Sequence, residues 1–137
     1  MKIILVTVMV GNLIGTAYRS VPEQTDGSPN YTATGEKTCG HGIAVSGDML
    51  RRNGGPLDYG DVVYIEGIGI KVVNDTMNKR HKGRFDVWVA TYKEEKEFDQ
   101  KYRNKKFKVW LIKYKEEGDT NDVKSRQRLK QKIWQAK

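Results

Sequence analysis

The sequence predicts a mainly β domain. Short runs rich in Val and Ile recur through most of the chain, and such residues favour strands. Fourteen Gly and three Pro punctuate those runs. The clearest helix-start signal, Thr91-x-x-Glu94, comes late. At 137 residues the chain is long enough for one domain with an appendage, and its core needs no staples.

Taken in order, residues 3–10 read as a buried strand that continues over 13–18 after a bend at Gly11. This stretch also imitates a signal peptide cleaved after Ala17. Gly11-Asn12 interrupts the apolar run, which is too short to span a bilayer, so a first strand is the preferred reading. A polar loop with Pro22, Gly27 and Pro29 follows. Residues 31–34 and 42–45 read as short strands. Residues 46–52 read as one or two helical turns with Ser46 as N-cap, broken by Asn53-Gly54-Gly55-Pro56. Two β-branched runs, 61–65 and 68–73, are joined through Glu66-Gly67 as a hairpin. Residues 85–90 form the next strand. A helix from Thr91 to about Arg103 follows, with basic residues at its negative end. The last strand is 106–113, where Phe107, Val109 and Leu111 alternate with Lys106, Lys108 and Trp110. The barrel-forming part is expected over 1–115, and 116–137 as a basic tail, either a helix packed on the barrel or a frayed segment. In that tail Val123, Leu129, Ile133 and Trp134 are too few for a core of their own.

The formal net charge of +8 points to an anionic partner. Nucleic acid, a membrane surface and an acidic wall polymer all fit that charge. The basic residues concentrate in the C-terminal third without interleaved aromatics, unlike a stacking platform for nucleic acid. Cys39 is the only cysteine, so no intramolecular disulfide forms. Only His41 lies near it, which leaves a zinc site without ligands.

Three carboxylates, Asp48, Asp75 and Asp86, stand at or beside the ends of strand-like runs. Closing a sheet brings strand ends together, so the three can meet in one groove. Crowded carboxylates raise one another's pKa, which leaves one protonated while another is ionised. That combination supplies an acid and a base, the requirement for breaking a glycosidic bond. The ordinary role of an Asp beside a strand is a turn or a cap. A carboxylate metal site lacks a His at ligand spacing. No phosphate-binding Gly loop, GxSxG or HExxH is present.

The ordered motifs TAY (16–18), EQTDGSP (23–29), TATG (32–35), IAVSGDML (43–50), YGDVVYIEGIGIKVVNDTMN (59–78), RFDVW (84–88) and KVWLI (108–112) resemble the three-aspartate (3D) domain family. That family is related to the catalytic barrel of membrane-bound lytic transglycosylase A. The resemblance covers about residues 16–112. It implies a six-stranded double-psi β-barrel with Asp48, Asp75 and Asp86 as the name-giving aspartates. Two departures from the family pattern stand out. Met77-Asn78-Lys79-Arg80-His81-Lys82 replaces a small-residue GGAIKG run, and the first Asp lies in AVSGDML instead of an AVDP context. This looks like the variant found among phage and prophage proteins.

By similarity, the chemistry is non-hydrolytic cleavage of peptidoglycan between N-acetylmuramic acid and N-acetylglucosamine. Asp86 or Asp75 would donate the proton, with Asp48 setting pKa and position. Tyr18, Gln24, Thr25 and Thr34 are the expected glycan contacts, and Arg84 would bind a carboxylate or polarise Asp86. No metal or cofactor is implied. The expected partner is peptidoglycan glycan strands, not nucleic acid, without stable membrane insertion. The protein would act at the bacterial wall, as part of a virion or in lysis. The competing expectation is a barrel that binds wall glycan, or serves as a virion component, without catalysis.

Overall fold

The computed structural model describes residues 3–20, 31–35, 37 and 39–116. Six strands close into a barrel: β1 (Ile3–Tyr18), β2 (Gly42–Val45), β3 (Val62–Ile65), β4 (Gly69–Thr76), β5 (Arg84–Trp88) and β6 (Lys106–Glu116). Their order around the barrel is β1-β5-β2-β4-β3-β6. The β1–β5 and β2–β4 pairs are parallel and the others antiparallel. The expected mainly β, six-stranded closed barrel is therefore present, and its topology is consistent with a double-psi arrangement. The expected helical tail and the loop holding Gln24 and Thr25 lie outside the described residues.

Alternation explains the core. In β5, Phe85 and Val87 are buried while Arg84, Asp86 and Trp88 are less so. In β6, Phe107, Val109 and Leu111 point inward. They meet Ile43, Val45, Val63, Ile65 and Val73. Phe85 and Phe107 pack edge-to-face with centroids 5.5 Å apart. Burying each of these rings stabilises the fold by roughly 2–3 kcal/mol. The α-helix among the described residues, α1 (Tyr92–Tyr102), lays Phe98 and Tyr102 against this core. Thr91 caps it by accepting the Glu94 N–H at 3.1 Å, as the capping box predicts.

The structure corrects four details. The apolar start of β1 is not buried: Ile4, Leu5, Val6, Val8 and Met9 are all exposed. This half of β1 pairs only with β6, while β5 joins β1 from Ile14 onward, so it runs beyond the closed barrel. The bend at Gly11 is a bulge within one continuous strand. Residues 31–34 form no strand. Tyr31 makes an isolated bridge to Lys37 instead. The helical turns after Ser46 are two short 3-10 turns, Gly47–Met49 and Arg51–Asn53. Ser46 does not cap them, because its hydroxyl accepts the Arg84 N–H at 3.0 Å.

Candidate functional site

Strand register assembles the site. Thr16 of β1 pairs with Asp86 of β5, Asp86 pairs with Ala44 of β2, and Ala44 pairs with Asp75 of β4. Residues paired in register share one face of a sheet. Their neighbours Ile43, Val45, Val73, Phe85 and Val87 fill the core, so this row lies on the outer face. Asp86 and Asp75 thus flank Ala44 two strand spacings apart, about 10 Å between backbones. Ala44 is itself buried between them, and its methyl group is the shortest side chain of the row.

A bulge sets this alignment. The β2–β4 register runs Ile43↔Val73 and then Ala44↔Asp75, which leaves Asn74 as the extra residue. Without it, Asn74 would stand opposite Ala44 and Asp75 would turn toward the core. The Asn74 side chain is fully buried, and neither of its amide atoms bonds to a described protein group. It lies directly over Gly42, where a Cβ would overlap it.

The carboxyl of Asp86 accepts a 2.8 Å hydrogen bond from the Thr16 hydroxyl. Burial pushes its pKa up to about 6, opposed by the Thr16 bond. The nearby Glu95 and Asp75 carboxylates add to the rise. Glu95, on α1, is itself held by Arg19 Nε at 2.6 Å. Asp75 Oδ1 accepts the Ala33 N–H at 3.0 Å and the Thr76 N–H at 2.9 Å, which orients it. Tyr18 follows Thr16 on the same face of β1. Burial raises the pKa of its phenol, and Asp75 and then Asp86 raise it further, so the group stays protonated as a donor.

The aspartates expected to meet do so unequally. Asp75 and Asp86 share the row with Tyr18 nearby. Asp48 sits on the 3-10 turn after β2, and its two oxygens accept the Gly83 N–H at 3.3 and 3.1 Å. It thereby ties the turn to Gly83, the residue just before β5. Among the described residues, no three acidic, His or Cys side chains are grouped as a metal would need. Thr34 is exposed, its hydroxyl 2.9 Å from that of Thr32, and its backbone N–H reaches the Asn74 carbonyl beside Asp75. Arg84 is half-buried at the start of β5 and enters no ion pair among the described residues. Cys39 is a free thiol, as its solitude in the sequence implies.

Comparison with protein-family models and with curated proteins returns no match.

Sequence reasoning missed Thr16, Ala44, Glu95 and Arg19. Thr16 was within reach, because it stands two residues before Tyr18 and a strand presents both on one face. The Arg19–Glu95 pair joins residues 76 apart, and no local pattern announces it. No helix among the described residues is long and apolar enough to cross a membrane.

Proposed function

We propose that this chain is a 3D-type barrel that cleaves peptidoglycan as a lytic transglycosylase, with Asp86 as the proton donor. The observation that carries this reading is the row Thr16–Asp86–Ala44–Asp75, with the pKa of Asp86 lifted to about 6. A carboxyl half-protonated at about pH 6, with a minor protonated fraction left at pH 7, can give a proton to a glycosidic leaving oxygen where an ordinary carboxyl would be almost wholly ionised.

In the proposed reaction the glycan lies across Ala44. Asp86 gives its proton to the glycosidic oxygen as the bond from muramyl C1 breaks. The C6 hydroxyl of the same muramyl residue attacks C1, and its proton returns to the Asp86 carboxylate. The products are a 1,6-anhydromuramyl end and a free N-acetylglucosamine hydroxyl, so no water is consumed. Asp75 faces the developing positive charge at C1 from the other side of Ala44. Tyr18 supplies a neutral donor to the sugar, and Asp48 holds the β5 entry in place through Gly83.

Digestion of purified wall sacculi, followed by mass spectrometry, tests this. Anhydromuropeptides are expected from the native protein and none from Asp86→Asn. Ordinary reducing ends, or no products, would overturn it. A second reading, glycan binding without cleavage, is favoured by the engagement of Asp48 with a backbone N–H and by the long side chains over 77–82. Retained sacculus binding without any product would select it.

A further inference from the structure

The connection from β4 to β5 runs directly between the strands that carry Asp75 and Asp86. It begins one residue after Asp75, at Thr76, and ends at Arg84, two residues before Asp86. On the way it crosses the end of β2, where the Met77 N–H donates to the Val45 carbonyl at 2.9 Å. Val45 is next to Ala44, so the connection leaves β4, at Met77, about one residue rise, roughly 3–4 Å along β2, from the acid row.

The connection has a defined shape. Asn78 Oδ1 accepts the Arg80 N–H at 3.1 Å, and the Asn78 carbonyl accepts the His81 N–H at 3.0 Å. Its far end is tied by the Gly83 N–H to Asp48. On this connection Lys79, Arg80 and Lys82 are exposed, and Arg84 at its end is half-buried. None of the four forms an ion pair among the described residues. The site carboxylates Asp48, Asp75 and Asp86 accept hydrogen bonds from Gly83, from Ala33 and Thr76, and from Thr16 respectively. His81 feels the surplus of positive charge: burial lowers its pKa, and Arg80 and Arg84 lower it further.

Four cations that form no ion pair among the described residues, on the connection between the two acids' strands, suit an anion carried by the sugar. Resting on the glycan reading above, we propose that Lys79, Arg80, Lys82 and Arg84 form a subsite for the carboxylates of the peptide stems on the glycan strand. Each muramyl residue bears its stem at C3, on the ring whose C1 is attacked. A strand placed across Ala44 therefore carries stem carboxylates beside the scissile bond. The subsite favours stem-bearing wall over bare glycan and sets the direction in which the strand enters.

The test is equilibrium binding in an Asp86→Asn background, so that strands stay intact. The probes are wall glycan strands with their stems and the same strands stripped by an amidase, with the lactyl carboxylates that this exposes capped as methyl amides. At low salt, stem-bearing strands are expected to bind roughly tenfold tighter. The triple variant K79Q/R80Q/K82Q should erase that preference, leave the affinity for stripped strands unchanged and keep the melting temperature. Equal affinity for both strands, or a preference that survives the triple variant, would overturn the subsite while leaving the glycan reading intact. Binding that follows wall-polymer phosphates instead of stems, or single-stranded DNA of matched charge binding as tightly, would also overturn it. Failure to bind either strand would sink the glycan reading itself, and the subsite with it.

Discussion

The Thr16 hydroxyl reaches the Asp86 carboxyl at 2.8 Å across the parallel β1–β5 pair. It counteracts the burial that lifts the Asp86 pKa, and Glu95 and Asp75 act with the burial. The proton on Asp86 is thus balanced between one donor and two carboxylates, and each can be altered separately.

Replacing Asp86 by Asn should stabilise the fold in a pH-dependent way. The folded pKa of about 6 lies above the ordinary 3.8, so the charged form is disfavoured in the native state. Native stability is therefore fullest below about pH 4 and falls as pH rises through about 6. Thermal melts of Asp86→Asn should exceed the native protein by about 1–3 kcal/mol at pH 7–8, and converge with it at low pH. A constant difference across pH would show that burial of Asp86 is not the cause.

Thr16→Val and Glu95→Gln should move the cleavage profile in opposite directions. Loss of the Thr16 donor raises the Asp86 pKa and carries the alkaline limb of kcat/KM upward. Loss of the Glu95 charge lowers it and carries that limb downward. A pH–rate series on solubilised glycan reads both, and shifts of the same sign would contradict the assignment of Asp86 as acid.

Gly42→Ala should damage the site through the bulge. Its Cβ would overlap the buried Asn74 amide, and relief requires Asn74 to move. A loss of about 1–3 kcal/mol in denaturant melts is expected. Cleavage should fall further than the population of folded protein, because Asp75 leaves the row when the register slips.

Ala44 is buried between the two acids, so Ala44→Leu should crowd their row without removing either carboxyl, at a stability cost of about 1–3 kcal/mol. We expect glycan binding and product to disappear while the Asp86 titration persists. Undiminished binding would place the glycan elsewhere on the barrel.

The barrel strands were legible because their alternation is strong: Phe107, Val109 and Leu111 in β6 and Phe85 and Val87 in β5 leave little choice of face. The candidate pair Asp75 and Asp86 was legible as residue types beside strands. Their common row was not, because it depends on the Asn74 bulge, and the letters VVND do not say which residue is the extra one. The exposure of Leu5 and Val8 was hidden for a related reason. An apolar β-branched run reads as buried, and only the length of β1 relative to β5 places it outside the barrel. Ser46 looked like a cap because its neighbours turn there, yet its hydroxyl serves Arg84, 38 residues away.

Catalysis by Asp86 requires the barrel to hold its carboxyl pKa well above the ordinary 3.8. A carbon-13 NMR titration of the assigned Asp75 and Asp86 carboxyls in the intact protein measures this directly. A midpoint near 6 at Asp86 that is absent from Asp86→Asn is the predicted result. A midpoint at or below the ordinary 3.8 would contradict it.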